Sequence, residues 1–173
     1  MKQKIATKQL IVLSLLIAIN VLLSRVLAIN GTLVKIGLGF AATAAAAILY
    51  GPLWAAVEAG AADTLGALLF PTGPYNPCFT LTALVTGAIF GLWLRGEKPG
   101  WARCLAAAGM NCLLVDLLAN TLLIHWFYGT PLAWPFLSLR LLKVVIVMPI
   151  QFLTLWLFSR NGSLRRALGI ADR

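Results

Sequence analysis

The stretch WPFLSLRLLKVVIVMPIQFLTLWLF, from Trp134 to Phe158, indicates the fold class of this chain. A helix of about 20 predominantly apolar residues is long enough to cross a bilayer, and this stretch is longer. Its only charged residues are Arg140 and Lys143. Because a charge near the bilayer centre costs roughly 2.5–3.5 kcal/mol on insertion scales, such a residue indicates a function. The stretch therefore predicts a transmembrane helix that carries a functional pair of cations.

Similar apolar runs fill most of the chain. Its 173 residues are 61% hydrophobic and 11% charged, whereas a soluble domain is about half apolar and about a quarter charged. The sequence therefore predicts an all-α membrane protein, a bundle of six transmembrane helices in a single integral membrane domain over residues 1–173. The predicted spans cover residues 9–28, 36–50, 52–70, 78–94, 101–127 and 134–158, followed by a cytoplasmic basic tail over 159–173.

Ten of the 14 Lys and Arg residues predict the orientation of the chain. They lie in the N-terminal tail, in and beside the loop between spans four and five, and in the C-terminal tail, which share one side when there are six spans. The positive-inside rule makes that side cytoplasmic, with both termini on it. Topology thus explains the net charge of +9, so nucleic-acid binding is rejected. The residues concerned are Lys2, Lys4, Lys8, Arg95, Lys98, Arg103, Arg160, Arg165, Arg166 and Arg173.

Enzymatic motifs are missing from the sequence. It contains no G-x-x-x-x-G-K-[ST] phosphate-binding loop, no nucleophile elbow and no H-E-x-x-H. Energy for any transport must then come from an ion gradient or from a separate subunit. The three cysteines, Cys78, Cys104 and Cys112, have no metal or redox spacing and are interpreted as packing residues. No metal or cofactor is predicted.

Four cations in or beside the spans map to the outer half of the predicted bundle, with two carboxylates, two amides and three aromatic rings. Such a mixture suits a ligand with an anionic end and a flat polar ring. Lys and Arg would hold carboxylates, Asp and Asn would bond to a heterocycle, and aromatic rings would stack on it. The residues are Arg25, Lys35, Arg140, Lys143, Asp63, Asp116, Asn111, Asn120, Phe70, Tyr75 and Phe79.

Each of these charges has a structural alternative. Arg25 and Lys35 lie near helix ends, where they either snorkel to the interface or form an ion pair, such as Arg25 with Asp63. Arg140 and Lys143 are three residues apart on one helical face, where like charges repel unless an anion lies between them. Asp116 either pairs with Lys143 or binds the ligand.

Two further ionisable residues have to be interpreted, Glu58 and His125. Glu58, in the inner half of span three, is a proton-coupling carboxylate, a helix cap or a subunit contact. His125, near an outer helix end, is interpreted as a hydrogen-bonded interfacial group, because one His lacks the partners that a metal site requires.

Four stretches carry a resemblance to a known family: Leu23-Ser24-Arg25, KIGLGF over 35–40, DTLGALLFPTGPY over 63–75, and FTLTA over 79–83. Together they resemble the folate-specific substrate-binding subunits, or S components, of energy-coupling factor (ECF) transporters. The chain departs from the family's pattern at Asn76 and Cys78, where an aromatic residue and a glycine are expected. Its first span has Ser14 and Ala18 in place of an Ala-x-x-x-Ala pair.

The resemblance implies a vitamin-binding protein in the cell membrane that captures folate, or a related pterin, on the outer side. It also implies partners: a transmembrane coupling subunit, two cytoplasmic ATPase subunits that hydrolyse ATP, and the lipid bilayer. Ser14 and Ala18 would form the docking face. The loop after span three would help to cover the ligand and adds candidate contacts at Pro71, Thr72, Gly73 and Pro74.

Three other functions compete with this reading. The chain is alternatively an S component for another vitamin, a stand-alone transporter driven by protons or sodium, or a membrane enzyme acting on lipid or isoprenoid substrates. The enzyme hypothesis would need a metal or nucleophile cluster, and none is found in the sequence.

Overall fold

Six helices follow one another in the computed structural model, which describes residues 7–30, 35–71, 75–95, 99–130 and 134–160. Two of them contain π-helical segments. Helix α1 is α-helical over Thr7–Val21 and π-helical over Leu22–Val26, and α5 is π-helical over Asn111–Ala119 between α-helical parts at Trp101–Met110 and Asn120–Tyr128. The others are α2 (Phe40–Tyr50), α3 (Pro52–Leu69), α4 (Pro77–Leu94) and α6 (Trp134–Arg160). The predicted helical fold is confirmed.

Local sequence signals explain where two of the helices begin. Gly51 has a positive φ of 82°, which glycine adopts without strain, and Pro52 then opens α3. At the start of α4 the side chain of Asn76 accepts a hydrogen bond from the Cys78 amide at 3.0 Å, and Pro77 occupies the first turn. Proline is tolerated at both positions because the first turn of a helix needs no N–H donor.

The predicted start of span two at Ile36 is wrong. Residues Ile29–Asn30 and Lys35–Ile36 instead form a short antiparallel pair, β1 and β2, with Ile29 opposite Ile36. Helix α2 begins only at Phe40, because the chain first passes closely over α1 at Gly39. A Cβ at Gly39 would lie 2.3 Å from Oδ1 of Asn20.

Helix α2 occupies the centre of the bundle. It has 11 residues, too few to cross a bilayer alone. All residues from Ala42 to Ala47 are buried, and the helix packs against α1, α3, α4 and α6. This short span is rich in alanine, and its small side chains let the surrounding helices approach closely.

The contact between α3 and α4 depends on glycine. A Cβ at Gly91 would lie 2.1 Å from Cα of Pro52, and one at Gly87 would lie 2.4 Å from the carbonyl oxygen of Ala55. Neither position leaves room for a side chain, so the two backbones are in direct contact there. Small residues spaced four apart are typical of this packing in membranes.

The outer surface of the bundle is apolar. Four helical stretches are long and apolar enough to cross a membrane: Gln9–Val26, Pro77–Leu94, Trp101–Phe127 and Trp134–Arg160. Large side chains such as Ile11, Leu92 and Val145 are mostly exposed on them, as expected of groups that face lipid. The chain is a multi-pass membrane protein. We call the end of the bundle that holds Val26, Phe40 and Leu69 the outward end, after the charge pattern.

Candidate functional site

An ion pair joins α1 to α3 near the outward end. The Arg25 guanidinium donates from Nη2 to Oδ1 of Asp63 at 3.0 Å and to the Asp63 carbonyl oxygen at 3.3 Å. The side chain of Arg25 crosses Gly66, where a Cβ would lie 2.9 Å from Nε. Of the alternatives for Arg25, the structure thus contains the pair with Asp63.

The second oxygen of this carboxylate continues the network. Thr80 donates from Oγ1 to Oδ2 of Asp63 at 2.9 Å, and the Tyr75 hydroxyl lies 3.0 Å from the same Oγ1. Since a carboxylate only accepts, the Thr80 proton points to Asp63 and Tyr75 must donate to Thr80. Three predicted site residues, Arg25, Asp63 and Tyr75, are thereby brought together.

A second ion pair joins α5 to α6. Nζ of Lys143 donates to Oδ1 of Asp116 at 2.7 Å, and both side chains are largely buried. In a membrane interior such a pair forms because either charge alone would be costly. Of the two roles open for Asp116, the structure contains the pair with Lys143.

Arg140 lies next to this pair without a carboxylate of its own. Its side chain is 4% exposed, its Nε has no hydrogen-bond partner, and its guanidinium carbon lies 5.3 Å from the centre of the Phe136 ring. Asp116 is close enough to act on it electrostatically. Among the described residues, Asp116 forms an ion pair with Lys143 and none forms one with Arg140, so this part of α5 and α6 carries a surplus positive charge.

The two predicted amides of α5 both face α4. Oδ1 of Asn111 accepts from Oγ1 of Thr86 at 2.8 Å, and its Nδ2 donates to Oε1 of Gln151 at 3.3 Å. Oδ1 of Asn120 accepts from Oγ1 of Thr82 at 3.1 Å. Asn111 is buried, with both ends of its amide engaged, while Asn120 is half-buried.

The remaining predicted contacts lie on loops and helix ends. Phe70, Pro71 and Tyr75 are exposed, and Phe79 is half-buried in the first turn of α4. Backbone pairing in β2 includes Lys35, whose partner is Asn30. Thr72, Gly73 and Pro74 lie outside the described residues, so the centre of the predicted loop has no structural account.

Glu58 is fully buried among α1, α2 and α3. Nδ2 of Asn20 donates to Oε1 of Glu58 at 2.9 Å and to Oγ1 of Thr43 at 3.0 Å, while Oε2 of Glu58 has no hydrogen-bond partner. This burial argues against a direct contact of Glu58 with another subunit. The arrangement links three helices on the inward side of the Arg25–Asp63 pair.

Other sequence interpretations have clear outcomes. His125 is hydrogen-bonded near the end of α5, where its Nδ1 lies 2.7 Å from the Thr130 carbonyl oxygen. All three cysteines are free, and Cys104 and Cys112 are buried. Ser14 and Ala18 are exposed on α1, whereas the pairs Ala42/Ala46, Ala55/Ala59 and Gly87/Gly91, which also have a spacing of four, are buried.

Sequence reasoning missed the hydroxyl and amide groups that organise the predicted residues. These are Thr80, Thr82, Thr86 and Gln151. The two threonines Thr82 and Thr86, one turn apart on α4, were a usable signal, because they present two hydroxyls on one helical face. Chemically, the outward half can thus attract an anion and offer amide, hydroxyl and aromatic groups beside it.

Comparisons with known proteins agree with this architecture. The family described as "ECF transporter, substrate-specific component" matches residues 8–161. The chain is 32% identical to the folate transporter FolT of Clostridium novyi (strain NT) over 147 residues, 85% of each protein. It is 30% identical to the folate transporter FolT of Leuconostoc mesenteroides subsp. mesenteroides over 153 residues, 86% of this chain and 82% of that protein.

A solved structure is also similar. The crystal structure of FolT bound with folic acid superimposes with a TM-score of 0.85 and 33% sequence identity, and the match covers 89% of this chain and 93% of that one. The family comprises components of transporters rather than enzymes. With a family match over most of its length and relatives that are 30% and 32% identical, the chain belongs to the substrate-specific components of ECF transporters.

Proposed function

We propose that this chain is the folate-binding subunit of an ECF importer, which captures folate or a related pterin at its outward end. The observation that carries the proposal is the match, over most of the chain, to relatives named folate transporter and to a structure bound with folic acid. The whole chain would act as one integral membrane domain.

The charge distribution supports an anionic ligand. Arg25 is balanced by Asp63 and Lys143 by Asp116, whereas no carboxylate among the described residues forms an ion pair with Arg140. A buried guanidinium with an unpartnered Nε is unfavourable unless an anion completes it. We therefore assign Arg140 to a carboxylate of the ligand, where a charge-assisted hydrogen bond is worth roughly 1.5–3 kcal/mol.

The rest of the ligand would lie between this cation and the outward loops. Aromatic rings would stack on a pterin, and the polar network around Asp63 and Asn120 would border its edge. We keep the full set as candidate contacts: Arg25, Lys35, Asp63, Phe70, Pro71, Thr72, Gly73, Pro74, Tyr75, Phe79, Asn111, Asp116, Asn120, Arg140 and Lys143.

The energy for import would come from partner subunits. The sequence has no phosphate-binding loop of the Walker type, so ATP hydrolysis is assigned to two cytoplasmic ATPases acting through a transmembrane coupling subunit. Ser14 and Ala18 are exposed, whereas the pairs Ala42/Ala46, Ala55/Ala59 and Gly87/Gly91 are buried inside the bundle. An exposed small-residue stripe lets another membrane helix approach closely, so we propose it as the docking face.

Binding and uptake assays test this function. The purified chain should carry folate, identified by absorbance and mass spectrometry, and should bind it without partner subunits. In liposomes, the chain alone should take up no folate under a proton or sodium gradient, whereas the chain with an ECF module and ATP should. Gradient-driven uptake by the chain alone would favour the stand-alone transporter, and absence of folate binding would reject the proposal.

A further inference from the structure

Two side chains of α5 face the same neighbouring helix although they are nine positions apart in the sequence. Asn111 opens the π-helical segment and accepts a hydrogen bond from Thr86 of α4 at 2.8 Å. Asn120 directly follows the segment and accepts from Thr82 of α4 at 3.1 Å. The two threonines are four residues apart, so they lie one above the other on one face of α4.

A continuous α-helix could not make both bonds. At 3.6 residues per turn, nine residues are about two and a half turns, which would place Asn111 and Asn120 on opposite sides of α5. The i→i+5 bonding of a π-helix adds about one residue per turn, so that the same nine residues make about two turns. The π-helical segment is therefore what brings both amides to α4.

Exposed side chains recur along α5 with a period that is also longer than that of an α-helix. Leu113, Leu114, Leu118 and Leu122 are exposed, whereas Leu117 is half-buried and Thr121 is buried. Steps of four and five between exposed positions fit the π register. An α-helical register would turn Leu117 and Thr121 towards the lipid.

Of the two hydrogen bonds from α4 to α5, the one donated by the Thr86 hydroxyl is the stronger. Each threonine hydroxyl has a second possible acceptor in its own helix. For Thr86 this is the Thr82 carbonyl oxygen, at 3.1 Å, which is farther than Oδ1 of Asn111 at 2.8 Å. For Thr82 it is the Phe79 carbonyl oxygen, at 2.7 Å, which is closer than Oδ1 of Asn120 at 3.1 Å. Thr86 therefore favours the interhelical bond.

Helix α6 also forms hydrogen bonds to the π-helical segment, from the other side of α5. Gln151 accepts from Asn111 at 3.3 Å, and Lys143 donates to Asp116 within the π-helical segment at 2.7 Å. A change to α-helical register would rotate Asp116 away from Lys143 and Arg140. The position of the one carboxylate that faces these cations thus depends on the π register.

We propose that Thr86, assisted by Thr82, is a positioning residue that holds α5 in the π register and thereby sets the geometry of the anion site formed by Asp116, Lys143 and Arg140. π-helical segments are rare and frequently lie at functional sites. The consequence for ligand affinity rests on the proposed folate-binding function, whereas the consequence for the register does not.

The register is tested first, without ligand. Nitroxide labels are attached one at a time at positions 113, 114, 117, 118 and 122, and oxygen accessibility is measured in lipid. Only Cys78 has to be replaced, because Cys104 and Cys112 are fully buried. We expect high accessibility at 118 and 122 and low accessibility at 117. In Thr86→Val, accessibility should fall at 118 and rise at 117.

Affinity is measured on the same variants. Thr86→Val should weaken folate binding about threefold to tenfold, as the loss of one net hydrogen bond predicts. Thr82→Val should have a smaller effect, and Thr86→Ser should restore both register and affinity. Thr154→Val is the matched control, because that hydroxyl bonds only within its own helix, to the Ile150 carbonyl.

Two results would overturn the inference: an unchanged accessibility pattern in Thr86→Val, or a shifted pattern with unchanged folate affinity. If Thr86→Val does not fold, Thr82→Val decides by the same two measurements. A wild-type chain that binds no folate would instead refute the proposed function, and the accessibility pattern would still decide whether Thr86 holds the register.

Discussion

At the scale of single residues, the balance of buried charge is the feature that links stability to function. The sequence has only five acidic residues, and those inside the predicted spans are Glu58, Asp63 and Asp116. Asp63 neutralises Arg25 and Asp116 neutralises Lys143, so that Arg140 has no ion pair among the described residues. The uncompensated cation destabilises the bundle until an anion binds, which would make ligand binding a large contribution to stability.

Replacing Arg140 tests this balance. Arg140→Met keeps an unbranched side chain but removes a buried charge, and a single charge near the bilayer centre costs roughly 2.5–3.5 kcal/mol on insertion scales. We expect a higher melting temperature of the chain without folate, and little further increase when folate is added. Thermal unfolding followed by tryptophan fluorescence, with and without folate, gives both values.

The control for this prediction keeps the charge. Arg140→Lys should stay close to the wild-type melting temperature without folate and retain part of the stabilisation by folate. Equal stabilisation by folate in wild type and Arg140→Met would show that Arg140 does not contact the ligand's anionic end.

Glu58 makes a second prediction possible at this scale. Gln can keep the acceptor that Asn20 uses, so Glu58→Gln should leave stability and folate affinity nearly unchanged. Glu58→Ala leaves Asn20 without this partner, and a buried polar group without a partner costs about 1–3 kcal/mol. Thermal unfolding of the two variants is the measurement. If Gln is as damaging as Ala, the ionisable carboxyl itself is required, as a proton-coupled transporter would need.

At the scale of helices, close backbone contacts govern the arrangement. Helices α3 and α4 meet at Gly87 and Gly91, and the chain passes over α1 at Gly39. In lipid these contacts gain little from the hydrophobic effect, because the tails are as apolar as the side chains. Packing and interhelical hydrogen bonds must therefore hold the bundle, and both tolerate little displacement.

Gly91→Ala should destabilise the chain strongly. The new Cβ would lie 2.1 Å from Cα of Pro52, so the two helices must separate and lose contacts along their length. Overpacking of this kind typically costs about 1–3 kcal/mol, and we expect the upper end because the neighbour is backbone. Gly109→Ala is the control, since its Cβ would meet only Met148 Cε at 3.6 Å.

Thermal unfolding in one detergent compares the two glycine variants. Gly109→Ala should be neutral or slightly stabilising, because alanine favours a helix interior more than glycine does. Similar melting temperatures for both variants would mean that the α3–α4 contact is looser than the distances indicate.

At the scale of the whole molecule, α1 carries two different surfaces. Its buried face contributes Asn20 to the three-helix polar cluster and, one turn farther out, Arg25 to the ion pair with Asp63. Its exposed face carries Ser14 and Ala18. The same helix thus carries both a proposed ligand contact, Arg25, and the proposed docking face.

Separating these two surfaces experimentally gives a further prediction. Ala18→Leu should leave folate binding by the isolated chain unchanged, because Ala18 faces away from the ligand-binding half. It should reduce ATP-driven folate uptake by the reconstituted complex at least tenfold, since a larger side chain keeps a partner helix at a distance. Ala102→Leu, at an exposed position at the start of α5, is the control and should transport normally.

Reduced folate affinity in Ala18→Leu would argue that α1 has been displaced inside the bundle. Normal uptake with normal binding would show that the partner docks elsewhere.

The sequence alone was enough to predict the class of protein, most of the helix bounds and the residues of the proposed site. Long apolar runs need a bilayer, and basic loops indicate its sidedness, because both effects act residue by residue along the chain. The polar residues of the outward half could be proposed as a site because charges are costly in a membrane and are therefore a functional hypothesis by default. The family resemblance, confirmed by the comparisons, rests on the same local stretches.

Tertiary structure alone decided how those residues are paired. That Asp63 bonds Arg25 while Arg140 keeps an unpartnered Nε depends on which helices are neighbours, and neither span contains that information. The late start of α2 at Phe40 follows from crowding at Gly39 against Asn20, a contact made across the bundle. The π register of α5 is likewise decided by Thr82 and Thr86 of α4, because a helix's intrinsic preference is α-helical and only partners from outside it can hold the other form.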